Sequence, residues 1–224
     1  RFVLNTHWHS DHTSMNGILA AQEAVIISHE NSRKRMQTKS YNAFFNSVTP
    51  ASPKDALPVI TFPKNMSLHA NGEDIQLIYV NPAHSDGDAI VWFPEANVVH
   101  LGDIYIGELY PIIDVANGGD VNGYAPAIDH VLRLIDEETA VVPGHGPVGY
   151  KADLIAYRNM IATIRDRVKT MLDDGKDIDE ILDARPTAAF DEIWASNRVN
   201  PDHMTMMVYQ SLSGDYLKMK ADSE

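Results

Sequence analysis

Three histidines and an aspartate fall within the run His7-Trp8-His9-Ser10-Asp11-His12. Imidazole nitrogen suits zinc, and a carboxylate completes a mixed nitrogen and oxygen donor set. In an extended loop residues 7, 9 and 11 point one way, whereas His12 breaks that alternation and reaches in from the start of the next helix. Four donors so closely spaced do not fit one tetrahedron comfortably, so the run has the density to serve two ions. Metal-type residues recur at later corners: Asn81-Pro82-Ala83-His84-Ser85-Asp86-Gly87, then Gly102-Asp103, then Gly144-His145-Gly146. Each follows a short β-like run (75–80, 98–101 and 140–142), and strand-to-loop corners are where α/β architectures collect catalytic side chains. Glycine there lets the backbone turn sharply and leaves room beside a ligand. A lone Gly-Asp is more often a turn than a ligand; the ordered set carries the signal.

The elements that must hold these corners alternate between strand and helix. Phe2–Thr6 reads as a strand, His12–Gln22 as a short helix, Val25–Ser28 as a strand, and Glu30–Phe45 as a basic helix ending in Phe44-Phe45. A loop rich in proline spans Thr49–Pro58. Short β-like runs follow at 59–62, 66–69, 75–80, 89–93 and 98–101, with turn signals at Asn71-Gly72 and Glu95–Asn97. From Tyr124 onward helices dominate: 124–136, then 152–172 with Ile155, Ile161, Ile164 and Val168 on the apolar face. Asp177 with Glu180 forms a capping-box pattern, and Asn200-Pro201 opens a last helix whose methionines, Met204, Met206 and Met207, read as core. The fold class is α/β. With no repeat or long linker, one domain is expected over 1–224, its motifs in 1–150 and its last helices in 151–224.

Composition narrows the chemistry. The chain has 224 residues and no cysteine, so thiolate zinc sites, iron–sulfur clusters and cysteine nucleophiles are excluded, and any metal must be held by histidine and carboxylate. With 31 acidic against 18 basic residues the net charge is −13, a field that repels phosphate backbones and anionic lipid. Neither nucleic acid nor membrane is therefore the expected partner; a small molecule is. The sequence opens on Arg1 inside an apolar strand, so any leader peptide would lie upstream; the compartment stays open, as does the oligomeric state.

In their order, His7-Trp8-His9-Ser10-Asp11-His12, His84, Asp103 and Gly144-His145-Gly146 resemble the motifs of the metallo-β-lactamase-fold hydrolase superfamily. The resemblance covers Phe2 to about Pro147 and implies an αββα sandwich with its site at one edge between the sheets. By position it implies His7, His9 and His84 around a first zinc, Asp11, His12 and His145 around a second, and Asp103 bridging the two. Aspartate at 103 is similar to the glyoxalase-II-like and lactonase-like branches, whereas zinc β-lactamases usually put cysteine or serine at that corner. Members of the superfamily carry several strands and a helix ahead of the histidine-rich run. This chain is therefore expected to lack that N-terminal portion.

The function so implied is a binuclear zinc-dependent hydrolase, with iron or manganese as alternative metals. A metal-bridging hydroxide would cleave an ester, thioester, lactone or amide, with Asp11 and Asp103 as the catalytic carboxylates. Tyr105 and Tyr110 are candidate substrate contacts, with ordinary packing as the competing reading, and Phe44-Phe45 is a candidate lid. Competing functions on this fold are a phosphodiesterase or nuclease, which the acidic charge and the absence of a basic cluster beside the motifs disfavour, and a non-heme di-iron redox scaffold.

Overall fold

The computed structural model describes residues 1–42 and 46–215. Three parallel strands, β1 (Phe2–Asn5), β2 (Val25–His29) and β5 (Ile60–Phe62), form one sheet in the order β1-β2-β5. Between them lie α1 (Ser10–Thr13), α2 (Asn16–Ala20), α3 (Glu30–Met36) and a small hairpin of β3 (Ser40–Asn42) and β4 (Ser47–Thr49). The second sheet contains β6 (Asn65–Ala70), β7 (Glu73–Tyr79), β8 (Ala89–Phe93), β9 (Val98–His100) and β10 (Ala140–Val142), in the order β10-β9-β8-β7-β6. Its pairs are antiparallel except β9 with β10. The β6–β7 hairpin closes at Asn71-Gly72 with φ of 57° and 79°, the pair of left-handed residues that a tight hairpin turn needs. The tail comprises α4 (Val121–Leu132), which precedes β10, and then α5 (Lys151–Asp173), α6 (Ile178–Asp183), α7 (Asp191–Trp194) and α8 (Pro201–Ser213).

Period-2 alternation along the central strands separates two apolar layers. Ile75, Leu77, Ala89 and Val91 face Ile27 and Phe62 of the first sheet, which forms the core between the sheets. Ile78, Ile90, Val99 and Val141 point the other way and pack against Ile128 and Val131 of α4, Leu154, Ile161 and Ile164 of α5, and Met204 and Val208 of α8. Helices α2 and α3 lie against β2 and β5 on the outside of the first sheet. The layers are thus helix, sheet, sheet, helix, the αββα arrangement that the family resemblance implied. No helix among the described residues is long and apolar enough to cross a membrane.

Several expected elements differ. The helix expected over 30–45 stops at Met36, because the next residues are claimed by a distant side chain: Ser40 donates to Asn117 Oδ1 (2.5 Å) and Asn117 Nδ2 donates to the Tyr41 carbonyl (3.1 Å). Phe44 and Phe45, the candidate lid, lie outside the described residues. The helix expected over 12–22 is two short ones, interrupted at Ser14-Met15, with Asn16 buried and exchanging hydrogen bonds with Asn5. On α5 the buried face runs through Leu154, Tyr157, Ile161, Ile164 and Val168, leaving Ile155 exposed, so that face begins one residue earlier than the periodicity predicted. The capping box at Asp177/Glu180 and the Asn200 cap before Pro201 form as expected, and each side-chain cap satisfies a helix N–H left over at the first turn.

The topology positions the corners. Strands β7, β9 and β10 run in one direction, so the loops that leave them, carrying His84, Asp103 and His145, open on the same edge. The chain leaving β1 joins that edge, where the Ala89 N–H donates to the Thr6 carbonyl (2.8 Å).

Candidate metal centre

The histidine-rich run is extended only as far as His9, which caps α1 with φ −60° and ψ 149°. Asp11 and His12 belong to the first turn of α1, so Asp11 reaches the cluster from a helix rather than from the extended loop. Thr13 locks the turn by donating to the carbonyls of Trp8 (3.2 Å) and His9 (3.0 Å). Asp103 sits in a 3₁₀ turn, Gly102–Ile104, with Gly102 at φ 53°, where a side chain would be strained. Gly144 has to be glycine for a second reason: a Cβ there would collide with the Asp103 carboxylate.

Seven side chains from these corners converge into three donor groups: His7 with His9 and His84, His7 with His12 and Asp103, and Asp11 with His12 and His145. Within each, the donor atoms lie within 4.8 Å of one another. His84 Nε2 lies 2.8 Å from His9 Nδ1, and His12 Nε2 lies 3.4 Å from His145 Nε2. Asp103 stands between: Oδ1 is 3.2 Å from His12 Nε2, while Oδ2 is 3.5 Å from His145 Nε2 and 3.7 Å from His84 Nε2. Asp11 Oδ2 closes the outer side, 3.0 Å from His145 Nε2 and 3.5 Å from His12 Nε2.

Partners behind the imidazoles orient them. His84 Nδ1 donates to the Ile112 carbonyl (2.7 Å), which leaves Nε2 as the inward lone pair. His9 Nε2 donates to Asp114 Oδ2 (2.8 Å), which leaves Nδ1 facing inward. Asp114 is itself buried and fixed by Asn117 Nδ2, 2.9 Å from both its oxygens. The His84 loop is tied by Asp88, which accepts from the Ser85 N–H (2.9 Å) and the Ser85 hydroxyl (2.5 Å).

The electrostatics differ across the cluster. Burial, reinforced by the neighbouring His84, pushes His7 well below the usual histidine range. Burial alone would lower His12 too, but the carboxylates of Asp103 and Asp11 outweigh it and push His12 up to about 9. His145 is raised by its hydrogen bond to Asp103. The hydrogen bond from His12 holds Asp11 far below the usual carboxylate range. Burial opposes ionisation of Asp103, yet His12 and His145 hold it far below that range as well.

These residues fit a divalent cation. His7 Nε2 is buried with no hydrogen-bond partner, and Asp103 Oδ1 has only the His12 ring nitrogen at 3.2 Å, although buried polar atoms are ordinarily satisfied and an unsatisfied one costs about 1–3 kcal/mol. Both atoms face the donor groups, and the donors are the imidazole nitrogens and carboxylate oxygens that zinc, iron and manganese accept.

Tyr105 and Tyr110 are not brought into the cluster. Both are buried, at 3% and 1% exposure. Tyr105 packs edge-on against Tyr157 (5.1 Å between ring centroids), and the Tyr110 hydroxyl donates to Asp191 Oδ1 (2.9 Å). Both side chains are thus packed, and Tyr110 also borders the small void that reaches His145. His100 is a structural acceptor for the Gly102 N–H (3.0 Å). Sequence reasoning missed Asp114 and Asn117, which orient His9, and Arg198, which lines the cavity of about 90 Å³ beside His9, Asp11, His84 and Asp103. A carboxylate closing the apolar run Pro111-Ile112-Ile113-Asp114 was the available signal for the first; Arg198 had none.

The model of the family described as the metallo-β-lactamase superfamily matches residues 1–152. A curated relative, the metallo-β-lactamase type 2 of Bacteroides fragilis, is 25% identical over 151 residues, 66% of this chain and 53% of that protein. The chain spans about half the length of the curated metallo-β-lactamases it matches. A solved metallo-β-lactamase from Pontibacter korlensis superposes with a TM-score of 0.57 at 18% identity, over 71% of this chain and 67% of that one. The stereoselective inverting sec-alkylsulfatase from Pseudomonas sp. superposes with a TM-score of 0.65 at 13% identity, covering 97% of this chain and 41% of that one. At such identities the likeness is one of fold.

Proposed function

The chain belongs to the metallo-β-lactamase superfamily, whose fold binds metal ions, and from that premise we propose that it is a binuclear metal-dependent hydrolase of ester, thioester, lactone or amide bonds. The observation that carries the reading is the single carboxylate of Asp103 set between the buried imidazoles and the open ones. His7, His9 and His84 would hold one ion, Asp11, His12 and His145 the second, and Asp103 both. Bound divalent ions supply Lewis acidity and bring a water's pKa down toward neutrality.

The remaining work falls to the chain's own groups. Asp11 and Asp103 offset part of the cationic charge and hold the donor groups at a fixed separation. Asp11 is half-exposed at the cavity wall, so besides holding an ion its carboxylate can accept a proton there and return it to a leaving group. His84 and His9 keep their inward lone pairs because Ile112 and Asp114 occupy their other nitrogens. Ser10 and Ser85 are not nucleophiles in this scheme, since no histidine outside the cluster is paired with either.

Metal analysis of the purified protein, followed by a substrate panel, tests the proposal. Two equivalents of zinc, iron or manganese are expected, with turnover of a carboxylic ester, thioester, lactone or amide that a chelator abolishes. Two bound ions with no hydrolysis across the panel would overturn it. A coloured iron protein with no hydrolytic turnover would favour the di-iron redox scaffold, and phosphodiester cleavage alone the nuclease branch. Alkyl sulfate hydrolysis is a second reading with its own support: the likeness to the sec-alkylsulfatase extends through nearly the whole chain, including the helical tail beyond residue 152. A sec-alkyl sulfate therefore belongs in the panel.

A further inference from the structure

We infer, on the metal-binding reading above and independently of which bond is cleaved, that Arg35 is a positioning residue of the metal centre. Anchored on the loop after His84, it fixes the Asn117 amide and, through Asp114 and His9, sets how tightly the ion shared by His7, His9 and His84 is held. Three basic residues lie in the last turn of α3, and each has a different use. Lys34 pairs with Glu30 one turn back on the surface, and Arg33 donates to the Pro58 carbonyl. Arg35 instead reaches the loops behind the donors.

Its guanidinium meets Asp86, two residues past His84, along one edge: Nε lies 3.2 Å from each carboxylate oxygen, and Nη2 lies 2.7 Å from Oδ2. The remaining nitrogen, Nη1, donates to Asn117 Oδ1 (3.4 Å). One planar group thus joins the His84 loop to the turn 114–117, a span that the single nitrogen of a lysine does not match. The same helix donates from Asn31 Nδ2 to the Asp86 carbonyl (2.9 Å) and from the Ser32 hydroxyl to the Gly87 carbonyl (3.0 Å), so the anchor itself is held. The Asn117 amide is satisfied at both ends. Its oxygen accepts from Arg35 and from the Ser40 hydroxyl (2.5 Å), and its NH₂ donates to the Tyr41 carbonyl (3.1 Å) and to Asp114 (2.9 Å from both oxygens). A reversed amide would set its oxygen against the Asp114 carboxylate and its NH₂ against the guanidinium, so Arg35 selects the orientation that steadies Asp114. Asp114 in turn accepts from His9 Nε2 (2.8 Å), and its own N–H donates to the His84 carbonyl (3.0 Å). The turn that Arg35 braces therefore stands behind two of the donors, whose inward nitrogens lie 2.8 Å apart.

The test compares wild type with Arg35→Ala, Arg35→Lys, Asn117→Ala and the Arg35→Ala/Asn117→Ala double variant. Chelator competition reads the two zinc affinities, thermal unfolding of the metal-free protein reads the fold, and nitrogen-edited NMR follows the His9 ring N–H that Asp114 accepts. Arg35→Ala should weaken the ion held by His7, His9 and His84 about tenfold, the low end for a lost orienting partner, and the ion held by Asp11, His12 and His145 less than about twofold. The His9 ring proton should exchange with water faster to match. In the Asn117→Ala background the same substitution should add less than about twofold, because the route is already cut. Arg35→Lys keeps the charge and can pair with Asp86 but gives up Asn117, so it should weaken the same ion at least about threefold while unfolding stays near wild type; it decides alone should Arg35→Ala fail to fold. Equal losses for both ions, lower unfolding temperatures with both affinities kept, or full additivity with Asn117→Ala would each make Arg35 a brace of the fold only and overturn the inference. If wild type takes up no zinc, the metal-binding reading fails instead, and unchanged exchange of the His9 ring proton in Arg35→Lys would separately overturn the role of Arg35.

Discussion

The two ends of the donor cluster differ in nearly everything except the carboxylate they share. His7 and His84 are each 1% exposed, and with His9 they have their outer nitrogens engaged by Thr6, Ile112 and Asp114. His7 is pushed well down in pKa by burial, so it offers a lone pair rather than a proton. Asp11 and His145 are open, with side-chain exposures of 46% and 30%, while His12 at 15% is covered about as well as His9 at 13%; the imidazoles of His12 and His145 are already paired with carboxylates that push both pKa values up. His7 at one end is thus hostile to a proton, whereas His12 at the other holds one until a cation displaces it. Donor type is nearly the same at both ends, so the difference comes from what surrounds the donors.

Removing the shared group should break the comparison outright. In Asp103→Ala, both ends lose a donor and the charge that holds them together, so metal content should fall well below two equivalents. Turnover should drop by at least about 10³-fold, the size of several kcal/mol of lost charge stabilisation. His145→Ala should instead leave about one tightly held equivalent, because the buried donors do not include it. Plasma emission analysis beside steady-state kinetics reads both. Two full equivalents in Asp103→Ala would mean that the ends are independent sites.

The pH dependence sharpens the same contrast. His12 is raised from 6.5 to about 9 in the folded metal-free protein, so its ion pairs stabilise that state fully below pH 6.5 and less as pH rises through 9. Asp11 and Asp103 are shifted the other way, and their contribution is complete above the ordinary carboxylate pKa of 3.8. Metal binding must displace the His12 proton, so below about pH 9 affinity at the open end should fall about tenfold for each pH unit lost. His7, lowered by burial, should add no such slope near neutrality. Metal titrations from pH 6 to 9 should therefore show the equivalent held by His12 gained steeply as pH rises, with a shallower dependence for the other. Melting of chelated protein should weaken over the same interval. Two equivalents with parallel pH slopes would remove the distinction.

The donors were readable from sequence because their types are scarce and their corners ordered: an imidazole or carboxylate beside glycine at the end of a β-run has few other uses. The residues themselves gave an α/β class, and the layered fold was implied by the family resemblance that those motifs carry. Other features depend on partners far away in the chain. Nothing near Ser40 says that Asn117 will draw the backbone out of a helix, and nothing near Arg198 says that the tail folds back to the metal corners. Tyr110 shows the limit well. An aromatic a few residues past Asp103 reads equally as a pocket wall or a strut, and only the position of Asp191 makes it a strut. Asp114 lies between these cases, since a carboxylate at the end of an apolar run announces a buried partner without naming it.

That partner supports the most selective change. In Asp114→Asn the side chain keeps its size but has one acceptor oxygen where there were two, and loses its charge. The native carboxylate accepts from His9 Nε2 through Oδ2 and from Asn117 Nδ2 through both oxygens. An amide that turns its oxygen to His9 sets its own NH₂ against the Asn117 NH₂; turned the other way, it presents a donor to His9 and favours the tautomer with the proton inward. Either way the lone pair of His9 is less available to a cation. Affinity at the buried end should fall about 10- to 100-fold, the usual effect of losing an orienting partner, while the pH slope at the open end stays as it was. Chelator competition at fixed pH measures the first, and the titration series measures the second. A loss shared equally by both equivalents would mean that Asp114 supports the whole loop rather than His9 in particular.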